Sequence, residues 1–390
     1  MKILNLTTAI PSQFGTGADI CSQHFIDGMR ALGHSVAVAG FRRFGDSHVY
    51  GEDVIEVGER HIETKEAGVR ALLWAAQAIL RGLPYSSAKY YSRRYLNEVQ
   101  SRMAEENFDV VILEHSSQLC WLKPVIAPFS KVAILAHNLE HEIFQERVRE
   151  STKALVRQVY RREAHLVRKM EDELAATSQG VWALTEHDAE YFRRLEGVRA
   201  DGVRVFALPA SSVNPIDPNH AKTFDLAMIG SWIWKPNADG LRFFFDEVYP
   251  HLPPNLSIKV AGRGADWLSG KYPNVEYLGF VPDARKFLSE ARAIAISSIR
   301  GGGTQLKTLE ALGLGLPLVA TPFSLRGIAT LPSTVRVAES AEQFAKETLA
   351  AIGTQVTSTD LDSVKRWAED RRARFLQTID DGLKDLVQQG

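Results

Sequence analysis

The chain has 390 residues, 45% hydrophobic and 24% charged, with a formal net charge of −1. This is ordinary soluble globular composition at a length that suggests two domains, and so neutral a balance gives no general pull toward nucleic acid. The two cysteines, Cys21 and Cys120, lie far apart without metal-like spacing, so no disulfide framework is expected. The opening "MKILNLTTAIPSQFG" has too short an apolar run for a signal peptide. No segment has about 18 uninterrupted apolar residues, and a cytoplasmic setting is the expectation.

In chain order, "KILNLTT" is an apolar strand, followed by a loop containing Pro11, Gly15, Thr16 and Gly17. "ADICSQHFIDGMRALG" is an amphipathic helix closed by Gly33, and "SVAVAGF" is the next strand. Strands joined by a single helix argue for a parallel sheet. Residues 60–105 look helical and carry basic and aromatic residues, as do residues 141–175; they fit either a membrane-interfacial or acceptor surface or ordinary solvated helices. Between them, "FDVVILEH" and "KVAILAHN" are apolar runs ending in the polar residues His115, His137 and Asn138, and "GVWALTEHDAEYF" gives a further strand and helix. "FALPASSVNPIDPNHAKT" is the best linker candidate. A second series follows with "FDLAMIGSW", "LSIKVAGRG", "VEYLGFV", "AIAISS" and "LPLVAT", and a long charged helix closes the chain. The expected organisation is α/β, with one domain over residues 1–211, a second over 212–365 and a C-terminal helix over 366–390 packing across both.

In parallel α/β sheets ligands bind beyond the carboxyl ends of the strands. Gly15–Gly17, His115, His137, Gly230–Trp232, Arg263, Gly264 and Arg300–Thr304 all fall at such ends, which points to a cleft between two domains. The run "GGGTQLKTLEAL" is the most informative. Gly301, Gly302 and Gly303 let the backbone approach a ligand, and a helix starting near Thr304 offers free N–H groups to it. Lys307 opposes the helix dipole unless an anion sits beside it, and Glu310, one turn further on the same face, could accept bonds from ribose hydroxyls. Together these suggest a nucleoside-diphosphate site; the plainer reading is a glycine-rich turn with a surface Lys–Glu pair. "GTGADI" and "GRGADW" both fail the dinucleotide fingerprint at its third glycine, and "GGGTQLK" is not a Walker loop. His115 and His137 have a second reading as caps of buried strands, and Trp232 and Trp234 as core packing.

At these residues the sequence resembles GT-B glycosyltransferases of the retaining family 4, or group 1, type. The resemblance runs over essentially the whole chain. It is strongest in "GSWIWKPNADGLRFFFDEVYPHLP", "VAGRG", "VEYLGFVPD" and "GGGTQLKTLEALGLGLPLVAT", with "GHSVAV" and "HNLEHEIFQER" in the first domain. It implies two Rossmann-like domains with parallel sheets facing a cleft and a nucleotide-sugar held mainly by the second. Lys307 would contact the diphosphate, Glu310 the ribose, and the Gly303 and Thr304 N–H groups the phosphates. Val281 and Pro282 would lie near the base, Gly15–Gly17 near the diphosphate or sugar, and His115 or His137 near the sugar or acceptor. Much of the family carries two glutamates separated by seven residues; Glu310 is the second, but the first position is Gly302. Where arginine often follows Gly230, this chain has Ser231, leaving Arg263, Lys235 or Arg300 as the second cation. The implied activity is sugar transfer with retention to a glycan, glycolipid or lipid-linked hydroxyl acceptor, without metal or other cofactor and with no nucleic-acid partner. Peripheral contact with the inner face of the cell membrane fits a lipid-linked acceptor. A sugar-nucleotide epimerase and a catalytically silent nucleotide-sugar binding protein are the rival readings.

Overall fold

The computed structural model describes residues 1–12, 17–62, 64, 67–129, 131–210, 215–217 and 219–388. They form two compact units, Met1–Leu208 with Arg374–Gly390, and Pro209–Ala373. Each unit is built on one parallel sheet.

In unit 1 the strands are β1 (Lys2–Ala9), β2 (Ser35–Arg43), β3 (Val54–Arg60), β4 (Val110–Glu114), β5 (Val132–Ala136), β6 (Gly180–Ala183) and β7 (Val203–Val205), in the order β3-β2-β1-β4-β5-β6-β7. Every pairing is parallel, with Leu4 opposite both Ala37 and Val111. The central strands β4 and β5, "VVILE" and "VAILA", are buried along their full length. Unbroken apolar runs are what a sheet covered on both faces requires. The helix Gly17–Ala31 packs Cys21, Phe25, Ile26 and Met29 inward, a 3.6-residue stripe, and carries Asp19 in its first turn and Arg30 in its last. Phe25 meets Trp182, Phe206 and Phe375 at ring-centroid distances of 5.9, 5.1 and 5.1 Å.

In unit 2 the strands are β8 (Phe224–Ile229), β9 (Ile258–Ala261), β10 (Val275–Gly279), β11 (Ala291–Ile296), β12 (Leu318–Ala320) and β13 (Val335–Val337), in the order β10-β9-β8-β11-β12-β13, again all parallel. Both sheets therefore reverse direction of travel once, between β1 and β4 in unit 1 and between β8 and β11 in unit 2. In such sheets the loops leaving the two strands at the reversal diverge and open a crevice.

The helix Ser358–Gln388 has 31 residues and belongs to both units. Its first half is tied within unit 2, where Trp367 Nε1 donates to the Thr330 carbonyl at 2.8 Å and Arg371 to that of Gly327 at 3.0 Å. Its second half completes unit 1, burying Phe375, Ile379, Leu383 and Leu386 there and pairing Asp385 with Arg204.

The strands β3, β7 and β13 were not expected from the sequence. β7 and β13 are both three-residue "VRV" segments at sheet edges, too short to show alternation.

Candidate functional site

In unit 2 the loops after β8 and β9 run backbone against backbone. Trp232 N–H donates to the Arg263 carbonyl and Trp232 Nε1 to that of Ala261, both at 2.9 Å. Gly262 adopts φ +109, and a Cβ there would stand 1.7 Å from the Gly230 oxygen; at Gly264, φ +97, a Cβ would stand 2.7 Å from the Ile233 nitrogen. Only glycine fits at such conformations and distances. Gly262→Ala is accordingly expected to cost about 3 kcal/mol or more through overpacking plus positive-φ strain. Thermal melts check this, and an unchanged melting temperature would show that the two loops can part. Trp232 itself is buried in the unit 2 core, whereas Trp234 is exposed.

Across the reversal, the chain leaves β11 through Ser297 and Ser298 to the glycine run, with Gly301 at φ +130 and Gly303 at φ +63. Arg326 pins this turn by donating to the Gly303 carbonyl at 2.9 Å. The helix that follows is Leu306–Leu312, starting two residues later than Thr304, and the Gln305 side chain ahead of it accepts from Ser298 Oγ at 3.0 Å instead of capping the helix. Lys307 is half-buried beside Trp232, with Nζ 5.9 Å from the indole centroid and donating to Asn237 Oδ1 at 2.8 Å. Among the described residues it has no carboxylate partner, and burial pushes its pKa down to about 8. A cavity of 10 Å³, one water in size, adjoins it between Trp232, Asn237, Gly240, Ser297 and Ser298.

The other cations of this edge are engaged. Arg300 and Lys235 both pair with Asp239, and Arg263 lies 5.1 Å from the Phe280 ring. Phe280, immediately before Val281 and Pro282, is exposed. Glu310 lies one turn beyond Lys307 and is half-buried, and Gly302 is exposed. Gly230 and Ser231 leave β8 at the other side of the reversal.

In unit 1, His115 and His137 end the adjacent strands β4 and β5, their rings 4.3 Å apart. His115 is the one non-glycine residue with positive φ among those described (φ +49), a conformation stabilised as its carbonyl accepts from the N–H groups of Gln118 and Leu119. Each histidine has a carboxylate. Glu114, fully buried, accepts from Asn5 Nδ2 at 2.6 Å and from Ser22 Oγ, and meets His137 Nε2 at 3.2 Å. Glu140 Oε1 lies 3.6 Å from His115 Nδ1 and accepts from Gln118 at 3.0 Å, while Ser117 donates to its other oxygen. Glu171 fixes Glu140 in turn by accepting its backbone N–H at 2.8 Å.

Burial opposes charge on every member of this cluster, yet its partners outweigh burial at three of the four. Glu114 and Glu140 lie below the usual carboxylate range because of the histidines and the hydroxyl and amide donors. His115 lies above the usual imidazole value through Glu140, Glu114 and Asp19. His137 is pushed down by burial and by the His115 charge beside it. The two imidazoles are thus pushed in opposite directions, His115 toward its charged form and His137 away from it. Glu114, His115 and His137 also present ligand atoms within 4.8 Å of one another, a spacing a metal ion could use. In this structure the Glu114 oxygens and His137 Nε2 take part in hydrogen bonds.

Of the residues singled out in the sequence, the structure gathers Gly230, Ser231, Arg300 to Thr304, Lys307 and Glu310 at the reversal point of unit 2. Arg263 and Gly264 lie on the loop zipped to that of Gly230, and Val281 and Pro282 follow Phe280 at the carboxyl end of β10. His115 and His137 meet in unit 1, where Gly17 opens the first helix; Gly15 and Thr16 lie outside the described residues. Glu114, Glu140, Asn237 and Arg326 were missed. The signal for the first was present, since a carboxylate closing the run "VVILE" is a charge where burial is expected.

The fold and these two edges define a class, the GT-B proteins, with two Rossmann-like parallel sheets. Residues 223–354 match the family model described as glycosyl transferases group 1. Similar solved structures are the lipopolysaccharide outer core galactosyltransferase WaaB (12% identity, TM-score 0.60, 98% of this chain and 99% of that one) and WaaG, a glycosyltransferase involved in lipopolysaccharide biosynthesis (17%, 0.56, 100% of both). A third is HepE of Anabaena in complex with UDP and glucose (16%, 0.54, 100% of both). No curated protein sequence matches. Residues 223–354 thus carry the likeness to group 1 glycosyl transferases, on a scaffold that is GT-B in fold.

Proposed function

We propose that the protein transfers a sugar from a nucleoside-diphosphate sugar to a hydroxyl of a glycan or lipid-linked acceptor, with retention at the anomeric carbon and without a metal. The observation that carries this is Lys307, a half-buried cation without a carboxylate among the described residues, set beside a glycine turn at the reversal point of unit 2. A diphosphate supplies the missing anion. Gly303 and Thr304 offer backbone N–H groups to it, Glu310 takes the ribose hydroxyls, and the exposed Phe280 ring, ahead of Val281 and Pro282, gives the base a face to stack on.

Transfer breaks the bond from the anomeric carbon to the phosphate oxygen, and the electron pair leaves with the phosphate. Preorganised donors around that oxyanion lower the barrier, and Lys307 supplies the charge. In same-face attack the acceptor hydroxyl forms the new bond and passes its proton to the departing phosphate. In unit 1, His115 turns Nδ1 to Glu140, which leaves its Nε2 as the atom that would meet a sugar or acceptor oxygen. Gly302 leaves the sugar's hydroxyls to groups other than the family's usual first glutamate. WaaB and WaaG, named for lipopolysaccharide synthesis, make a glycolipid the favoured acceptor, and HepE makes UDP the first base to test.

The test is a thermal-shift screen against UDP-, GDP- and dTDP-sugars. A donor at about 100 times its Kd adds about 2.7 kcal/mol, and the shift is expected for one nucleotide in the parent and for none in Glu310→Ala. NMR of the product then reads the anomeric configuration. A screen in which nothing shifts the parent removes the donor assignment, and an inverted linkage removes retention.

A further inference from the structure

The helix Val69–Arg81 in unit 1 is apolar on two sides. Its inner side buries Trp74 and Ala78. Its outer side carries Val69, Leu72, Leu73, Ile79 and Leu80, which are 75%, 72%, 64%, 74% and 86% exposed. Their spacing, i, i+3, i+4, i+10 and i+11, makes a single stripe where a solvated helix would place charge. A second helix, Ala154–Thr177, begins with exposed Leu155 and Val159, one turn apart. Arg162 ties the two helices together by donating to the carbonyls of Ala78 and Leu83, both at 3.2 Å.

The two segments that carry this surface are basic in sequence. No Asp or Glu occurs between Glu66 and Glu98, a span containing Arg70, Arg81, Arg93 and Arg94 besides the buried Lys89. None occurs between Glu150 and Glu163 either, where Lys153, Arg157, Arg161 and Arg162 fall. The whole chain has a net charge of −1, so this positive field is local and its acid counterpart lies elsewhere.

We propose that this face docks the protein on the surface of an anionic lipid bilayer, the exposed leucines, Ile79 and Val69 entering the acyl boundary and the arginines meeting headgroup phosphates. Apolar side chains rimmed by Lys and Arg are what such a surface retains, through apolar burial and attraction to anionic lipid together. The helix has 13 residues, about 20 Å, short of the roughly 30 Å hydrocarbon core, and no helix among the described residues is long and apolar enough to cross a membrane; the contact lies on the bilayer. A second copy is the poorer occupant. A two-fold dimer sets one patch against itself, and here that brings Arg70, Arg81, Lys153 and Arg157 against their own copies. The proposal is independent of the sugar chemistry.

Vesicle flotation of the full chain tests it. Phosphatidylcholine vesicles containing about one-third phosphatidylglycerol are expected to carry the parent upward, pure phosphatidylcholine far less, and high salt should weaken the binding. The double variant Leu72→Glu/Leu80→Glu should bind on the order of tenfold less while melting like the parent, as both side chains face solvent. Arg70→Glu/Arg81→Glu, which leaves every leucine in place, should lose binding to anionic vesicles specifically. Should the leucine variant fail to fold, Leu72→Ser/Leu80→Ser supplies the same comparison. Binding that ignores lipid charge, or survives both sets of replacements, overturns the proposal. So does self-association blocked by Leu72→Glu/Leu80→Glu in a protein that ignores vesicles, since the occupant is then a second copy. A donor-binding result of either kind leaves this readout unaffected.

Discussion

Lys307→Ala is expected to lower kcat/KM by about 10²–10³-fold and to erase the nucleotide-induced rise in melting temperature. The reason lies in what surrounds the ammonium group before any ligand arrives: one amide oxygen, an indole and a water-sized cavity, with no carboxylate among the described residues. Burial lowers its pKa from 10.5 to about 8, so the folded protein holds the charge at a cost below that pH and is relieved of it between about 8 and 10.5. Removing the lysine therefore should not lower the melting temperature of the ligand-free protein at pH 7. A drop there would instead indict the fold. Donor affinity should fall as pH rises through about 8, where the free lysine loses its proton, and binding just above that pH should take a proton up. Calorimetry in buffers of different ionisation enthalpy measures that uptake. A Lys307→Ala protein that binds the same nucleotide as tightly as the parent would remove Lys307 from the site.

The second large effect concerns stability. Glu114→Ala is expected to cost about 3–5 kcal/mol at neutral pH, because it strands partners of a buried charge. Asn5, Ser22 and His137 all point at that carboxylate, and none gains water when it goes. The folded carboxyl titrates below its ordinary value of 4.5, so its contribution is in place above that pH and fades as pH falls through the folded value. Urea titrations of parent and variant should differ widely at pH 7 and converge in acid. Equal midpoints at pH 7 would mean the network contributes nothing.

The sequence made the central strands legible because two-sided burial writes itself as unbroken apolar runs, as in "VVILE" and "VAILA". Edge strands are half solvated and short. Val54–Arg60 buries only Ile55 and Val57 and carries Glu56, Glu59 and Arg60 among its seven residues, and the two "VRV" segments hold too few residues to declare a period. The glycine turn before Lys307 was legible for the opposite reason, since three glycines before a lysine have few purposes. The histidine network was half legible. Strand ends gave His115 and His137, but the partners that set their charges come from Asn5, Ser22, Glu114 and Glu140, whose spacing along the chain follows no local rule. The helix starts at Leu306 where the sequence suggested Thr304, and the bond from Ser298 to Gln305 just ahead of it has no signature in the local pattern.

The last helix belongs to both units, and this sets the order in which the protein can be made. Unit 1 is discontinuous: its final piece, from Arg374 onward, supplies Phe375 to the Phe25 cluster, and the whole of unit 2 is translated in between. Domains generally fold as they leave the ribosome, N-terminal first. Here the first 208 residues emerge with a helix-shaped gap in their core, so unit 2, contiguous from Pro209 to Ala373, is the first unit able to close. Unit 1 therefore completes its core only after synthesis has passed residue 386, when Phe375, Ile379, Leu383 and Leu386 are all available to it.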